Sequence, residues 1–153
     1  MSNQIIGKAF ITSALQANGL GVLATEGDGQ PHASLVAITP MDDLLYLIFA
    51  TYRSTCKYKN LVNNGKVAIL FDNRSAISLN QSDVIVVTAF GHAKKVDSTI
   101  FEDVLRTHLL RHPEFESFFL SADCVLFQVK VTAYQVVRGV DDITWWNIED
   151  KKS

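Results

Sequence analysis

The residues best suited to chemistry lie between positions 50 and 61, ATYRSTCKYKNL. A strand-like run ends at Ala50 and Thr51, Arg53, Ser54 and Thr55 follow, and a helical pattern begins at Cys56 and Lys57. Hydroxyls, cations and the unsatisfied amides of a helix N-terminus therefore fall within a few residues of one another. An anion such as a phosphate needs that combination, because converging donors and positive charge act on it together. Lys57 in the first turn opposes the helix dipole, and a bound anion resolves the conflict. The alternative reading is an ordinary capped helix with exposed Lys and Arg.

Other candidate motifs fail on physical grounds. Gly19-Leu20-Gly21-Val22-Leu23-Ala24 matches a dinucleotide fingerprint in letters only. It follows a helix and opens a strand, whereas that fingerprint must follow a strand and open a helix whose amides meet the pyrophosphate. His108 and His112 are spaced to share a helix face, yet no third ligand is near in sequence, so they read as a solvated or partly buried pair and no metal site is expected. His92 has no evident acid partner. Cys56 and Cys124 are far apart and form neither a zinc set nor a CxxC pair, which fits a reducing, cytoplasmic setting.

The elements that would position residues 50–61 read as a run of short strands. A helix spans 3–18, with Ile5, Ile6, Ala9, Phe10, Ala14 and Leu15 on one face and Asn18-Gly19 at its end. LGVLATE (20–26), the Gly27-Asp28-Gly29 turn and PHASLVAI (31–38) make a hairpin. TPMDD (39–43) is a turn into LLYLIFAT (44–51), a short helix covers 54–64 with Ser54 or Thr55 as its N-cap and Gly65 as its stop, and KVAILFD (66–72) is the next strand. The polar stretch 73–82 reads as a loop. Gly91 inside the strand 83–96 predicts a bulge or a close backbone approach. Thr99 and Glu102 have capping-box spacing before a helix built on Ile100, Phe101, Val104, Leu105 and Leu109. Pro113 restarts a short helix, and strand-like runs at 124–131 and 133–140 follow.

These elements predict an α+β fold with an antiparallel barrel core of about seven strands and three or four short helices. The chain has 153 residues, 48% hydrophobic and 20% charged, enough for one domain with its own core. A net charge of −2 gives no field that would draw nucleic acid or an anionic membrane. The longest apolar run, 44–50, is far too short to span a bilayer, and the N-terminal stretch lacks the pattern of a signal peptide.

Four pieces in order carry a family resemblance: ATEGDGQPHASLVAI (24–38), LLYLIFATYRSTCKYKNL (44–61), NNGKVAILFDN (63–73) and VTAFGHAKKV (87–96). The span from Gly21 to Val96, about half of the chain, resembles the flavin-binding split-barrel family typified by pyridoxamine 5′-phosphate oxidase. The resemblance implies an antiparallel split β-barrel, about six to seven strands with short flanking helices, that forms a homodimer with FMN in two symmetric grooves at the interface. It implies that Ser34, Leu35 and Val36 run along the isoalloxazine ring, and that Ala50 and Thr51 flank the ring or the ribityl chain. Thr55, Cys56 and Lys57 match the family's Ser-Arg-Lys phosphate loop. Cys56 removes one cation there, which implies that phosphate binding is either weaker or helped by Arg53 or Arg74, with Ser54 in the same loop. Trp145 or Trp146 of the partner would cover the ring.

True pyridoxamine phosphate oxidases end in an Arg-x-His that handles their substrate, and WWNIEDKKS has none, so that activity is not expected. The expectation is an FMN-dependent oxidoreductase acting with a small-molecule redox substrate or electron donor. The alternatives are a non-catalytic FMN electron carrier and a haem- or deazaflavin-binding barrel. Flavin chemistry resides in the cofactor, so the sequence need not show a catalytic side chain.

Overall fold

The computed structural model describes residues 3–76 and 83–148, the side chains of 3–6 and 76 excepted. The loop expected over 73–82 thus lies partly outside the described residues, as do the side chains of Ile5 and Ile6. The elements are α1 (Asn3–Asn18), β1 (Leu20–Gly27), β2 (Gln30–Ala37), β3 (Thr39–Met41), β4 (Tyr46–Tyr52), α2 (Cys56–Asn63), β5 (Lys66–Asp72), β6 (Ile85–Lys95), α3 (Phe101–Arg111), α4 (Glu116–Phe119), β7 (Cys124–Arg138) and β8 (Asp142–Asn147).

All strand pairings are antiparallel, in the order β2-β1-β5-β6-β7-β4-β3, with β8 on the free edge of the second half of β7. The sheet curls until β2 approaches β4, but those two strands do not pair. The result is a split barrel, as the family resemblance implied, built on the antiparallel barrel core that the residue pattern predicted. Its interior holds Leu23, Ile38, Leu47, Phe49, Ile69, Val87, Phe127, Val129 and Tyr134, closed by Ile11 and Leu15 of α1. On α1 the buried stripe is Ile11, Ala14 and Leu15, with Phe10 at its margin, whereas Ala9 faces solvent. A second cluster, Ile48, Ala50, Val104, Phe119 and Leu126, packs α3 and α4 on the outside of β4 and β7.

The β1–β2 hairpin turns as its sequence demands, with Asp28 at φ 52° and Gly29 at φ 79°. Glu26 accepts from the Gly29 amide and from Asn64 Nδ2 (2.8 Å), which ties the hairpin to the end of α2. The Asn64 bond and then the Gly29 bond hold its carboxyl below the usual range. The register slips between Phe90 and Gly91, where β7 carries the extra residue Thr132. A Cβ on Gly91 would lie 2.3 Å from the Lys130 carbonyl oxygen, so the glycine marks a close backbone approach.

Four local expectations change. Residues 39–43 are not only a turn: Thr39–Met41 pairs with β4, because Thr39 and Ile48 can both be buried there. Thr99 does not cap α3. It bonds Asp97 Oδ1 through its amide (3.0 Å) and its hydroxyl (3.1 Å), and Ile100 is the N-cap without a side-chain bond. The two final runs are one strand, β7, since a bulge at Thr132 lets pairing continue through it. Residues 142–147 form β8, which the sequence reading did not propose.

Paired positions place Leu35, Val22, Leu70, Thr88, Gln135 and Trp145 in one row across β2, β1, β5, β6, β7 and β8. Facing positions share one side of a sheet, and the buried neighbours Leu23, Ile69, Val87 and Trp146 take the other. The outer face is therefore open and, apart from Thr88 and Gln135, this row is apolar, with Leu35 65%, Trp145 49% and, on the same side of β8, Ile143 55% exposed.

Candidate functional site

The split between β2 and β4 opens into a groove of about 400 Å³. Leu20, Leu35, Val36 and Ala37 form one side, and Ala50 and Lys57 the other. Phe115, Phe118 and Phe119 wall it from the α3–α4 segment. Four of the sequence-predicted residues, Leu35, Val36, Ala50 and Lys57, thus meet in one cavity from three separate elements.

The bend from β4 into α2 is built by two hydroxyls. Thr55 is the N-cap, with extended backbone (φ −94°, ψ 156°), and its Oγ1 accepts from the Tyr58 amide at 3.2 Å. The same hydroxyl donates to the Tyr52 carbonyl at 2.9 Å and lies 2.8 Å from Thr51 Oγ1. Thr51 is fully buried. Both hydroxyls are consumed in shaping the loop. The amides of Cys56 and Lys57, in the first turn, have no intrahelical acceptor. Lys57 makes no ion pair or hydrogen bond among the described residues, and it is the one charged side chain lining the groove. No acidic residue occupies the first turn of α2.

The other predicted residues sit elsewhere or face differently. Arg53 Nη1 donates to the Ala122 carbonyl (2.9 Å), and its amide bonds the Asp123 carbonyl (3.1 Å), so it pins the entry of β7. Ser54 and Cys56 are exposed beside it. Arg74 pairs with Asp72 at 2.9 Å and is not among the groove's lining residues. Trp145 stacks on Phe90 (centroids 5.6 Å apart) on the outer sheet face. Trp146 is buried against Tyr134. Strand alternation separates the two tryptophans, which the sequence reading left open.

Ser34 and His32 carry a different signal. The Ser34 Oγ and His32 Nδ1 atoms are buried without a hydrogen-bond partner among the described residues. Both lie on the same face of β2 as Val36, which lines the groove. Buried polar atoms are normally satisfied, so this row retains bonding capacity for a ligand. An apolar slot with an aromatic wall and a lysine at a helix start suits a flat ring with a polar tail ending in an anion.

Sequence reasoning missed the aromatic wall. The signal was present in PEFESFF (113–119), whose aromatics were assigned only to a short helix. It also misjudged the histidines. His108 is fully buried and His112 is 4% exposed. His108 Nδ1 meets Thr39 Oγ1 at 2.6 Å, and His112 Nε2 meets the Ile38 carbonyl at 2.8 Å. Burial, helped by His112 and Arg111, pushes the His108 pKa down to about 3. No cluster of three or more His, Cys, Asp or Glu side chains suited to a metal occurs among the described residues.

The family model described as "Pyridoxamine 5'-phosphate oxidase" matches residues 8–137. No curated protein matches the chain in sequence. Among solved structures, a heme-binding protein from Mycobacterium smegmatis superposes with TM-score 0.79 at 18% identity. That match covers 92% of this chain and 57% of the other, so the chain spans little more than half of that protein. General Stress Protein 26 from Bacillus anthracis superposes with TM-score 0.68 at 18% identity over 92% of this chain and 98% of its own. A FAD-binding protein from Mesorhizobium loti gives TM-score 0.63 at 20% identity over 80% and 88%. At such identities the likeness is one of fold. Among the described residues no helix is long and apolar enough to cross a membrane.

Proposed function

The chain belongs to the pyridoxamine 5′-phosphate oxidase family, and from that premise we propose that it is a flavoprotein holding FMN in the β2–β4 groove and acting as an oxidoreductase. The observation that carries this reading is the convergence of Leu35, Val36, Ala50 and Lys57 on one cavity beside the unpartnered Ser34 hydroxyl. Leu35, Val36 and Ala50 would sandwich the ring and exclude water from it. Ser34 would bond a polar atom of the ring or ribityl chain. Lys57 and the first-turn amides of α2 would hold the phosphate, at the end where the helix dipole favours negative charge. Thr51, Thr55 and Arg53 would fix the loop in which those donors lie. When bound, the flavin supplies the redox chemistry, moving one or two electrons between donor and acceptor.

A homodimer goes with this reading. The groove is open, and Leu35 belongs both to its wall and to the exposed apolar row that ends at Trp145. Monomers seldom leave so broad an apolar sheet face in water. A second copy laid on that face would close the groove and bring its own Trp145 towards it.

A haem-binding reading follows from the Mycobacterium smegmatis neighbour. Haem iron takes an axial His, Cys, Met or Tyr, and none is among the residues lining the groove. The visible spectrum of the purified protein decides. Oxidised-flavin bands, with reconstitution of stripped protein by FMN, are the expected result. A Soret band would replace flavin with haem. Bleaching by NADH or NADPH without oxygen would then mark a reductase, and lack of bleaching an electron carrier.

A further inference from the structure

The α3–α4 segment contributes three phenylalanines to the groove, and the two buried histidines stand directly behind them. Phe119 is 4% exposed, and its ring centroid is 4.2 Å from that of His108. Phe115 lies 6.3 Å from His112. The two imidazoles are 5.2 Å apart in an edge arrangement. Each is moored to the β2–β3 corner, His108 by Thr39 Oγ1 and His112 by the Ile38 carbonyl. Arg111 Nε also donates to that carbonyl (3.1 Å). Phe118 is only partly buried, and its ring meets Tyr52 edge-on at 4.5 Å.

A helix of four residues has almost no stability of its own, so its side chains hold position only through packing. Here the packing is a stack running from the β3 strand through the histidines to the groove. We infer that Phe118 is the ligand-stacking residue that sets the groove's preference for a flat aromatic body, and that His108 is a positioning residue for this wall. The inference rests on the flavin reading and adds to it a face that neither the phosphate loop nor β2 supplies. An aromatic face against a flat conjugated ring is worth roughly a threefold to tenfold gain in affinity.

The test uses the intact chain and two probes, FMN and lumiflavin, the latter having the ring without the phosphate tail. Phe118→Leu should weaken both probes by about threefold to tenfold, and Phe118→Tyr should restore wild-type affinity. Thr39→Val, which removes the hydroxyl on His108, should weaken lumiflavin binding and change the fluorescence of bound flavin, with Thr39→Ser restoring both. If Phe118→Leu binds both probes like the wild type, the wall does not touch the ligand and the inference falls. If Thr39→Val lowers only the melting temperature, His108 has a structural role alone. A wild type that binds neither probe removes the flavin reading, and this inference with it.

Discussion

The hydroxyls of Thr51 and Thr55 face each other at 2.8 Å across the bend where β4 ends and α2 begins. Thr51 contributes from a fully buried strand end and Thr55 from the helix cap. The contact fixes the direction in which the first amides of α2 point. It also fixes where Lys57 enters the groove.

Thr55→Ala should therefore cost about 1 kcal/mol of stability through the lost cap and weaken FMN binding as well. Thr55→Ser should restore both. Chemical denaturation and flavin titration on the same samples measure the two effects. A stability loss with unchanged affinity would detach the cap from the site.

Lys57→Ala should raise the FMN dissociation constant roughly tenfold to a hundredfold, from the loss of a charge-assisted bond of about 1.5–3 kcal/mol. Riboflavin, which lacks the phosphate, should bind wild type and variant alike. Melting temperature should not change, since Lys57 makes no hydrogen bond or ion pair among the described residues. Equal losses for the two flavins would move Lys57 away from the phosphate.

The outer apolar row predicts a dimer of the 17.0 kDa chain at micromolar concentration. Leu70 sits mid-row and is 40% exposed, so Leu70→Lys should leave the barrel folded and split the dimer. Light scattering and circular dichroism read the two properties. A wild type that runs as a monomer would refute the arrangement.

His108 predicts how stability depends on pH. Its folded pKa, about 3, is below the ordinary 6.5, so the unfolded chain takes up the proton first. Stability should then fall as pH drops below about 6, with His108 contributing up to about 1.4 kcal/mol per pH unit until its folded pKa is reached. Urea titrations of the wild type and His108→Gln between pH 7 and about pH 4 test this. Parallel profiles would mean that another group governs the acid limb.

Gly91→Ala should destabilise the sheet by about 1–3 kcal/mol, because its Cβ would meet the Lys130 carbonyl oxygen at 2.3 Å, where backbone must move. Denaturant midpoints compare it with the wild type. A neutral result would show that the β6–β7 bulge yields freely.

Local order was legible in the residues. The Asp28-Gly29 turn, the alternation of Val125, Phe127, Val129 and Val131, the Thr55 cap and the Gly91 bulge each depend on neighbours within a few positions. Sterics and period alone decide such features. The loop carrying Lys57 could be proposed for the same reason, since a cap, a cation and free amides are consecutive in the chain. Other features needed the tertiary structure. Trp145 and Trp146 are adjacent letters, and only the pairing of β8 with β7 turns one outward and buries the other. His108 and His112 look like a solvated helix pair until β3 supplies Thr39 and Ile38 as partners. The groove itself is a gap between β2 and β4, two strands that approach without pairing. No local pattern encodes a missing pair. It follows from how far the strands curl before α3 and α4 pack beside the opening, and burial decides that across many elements at once.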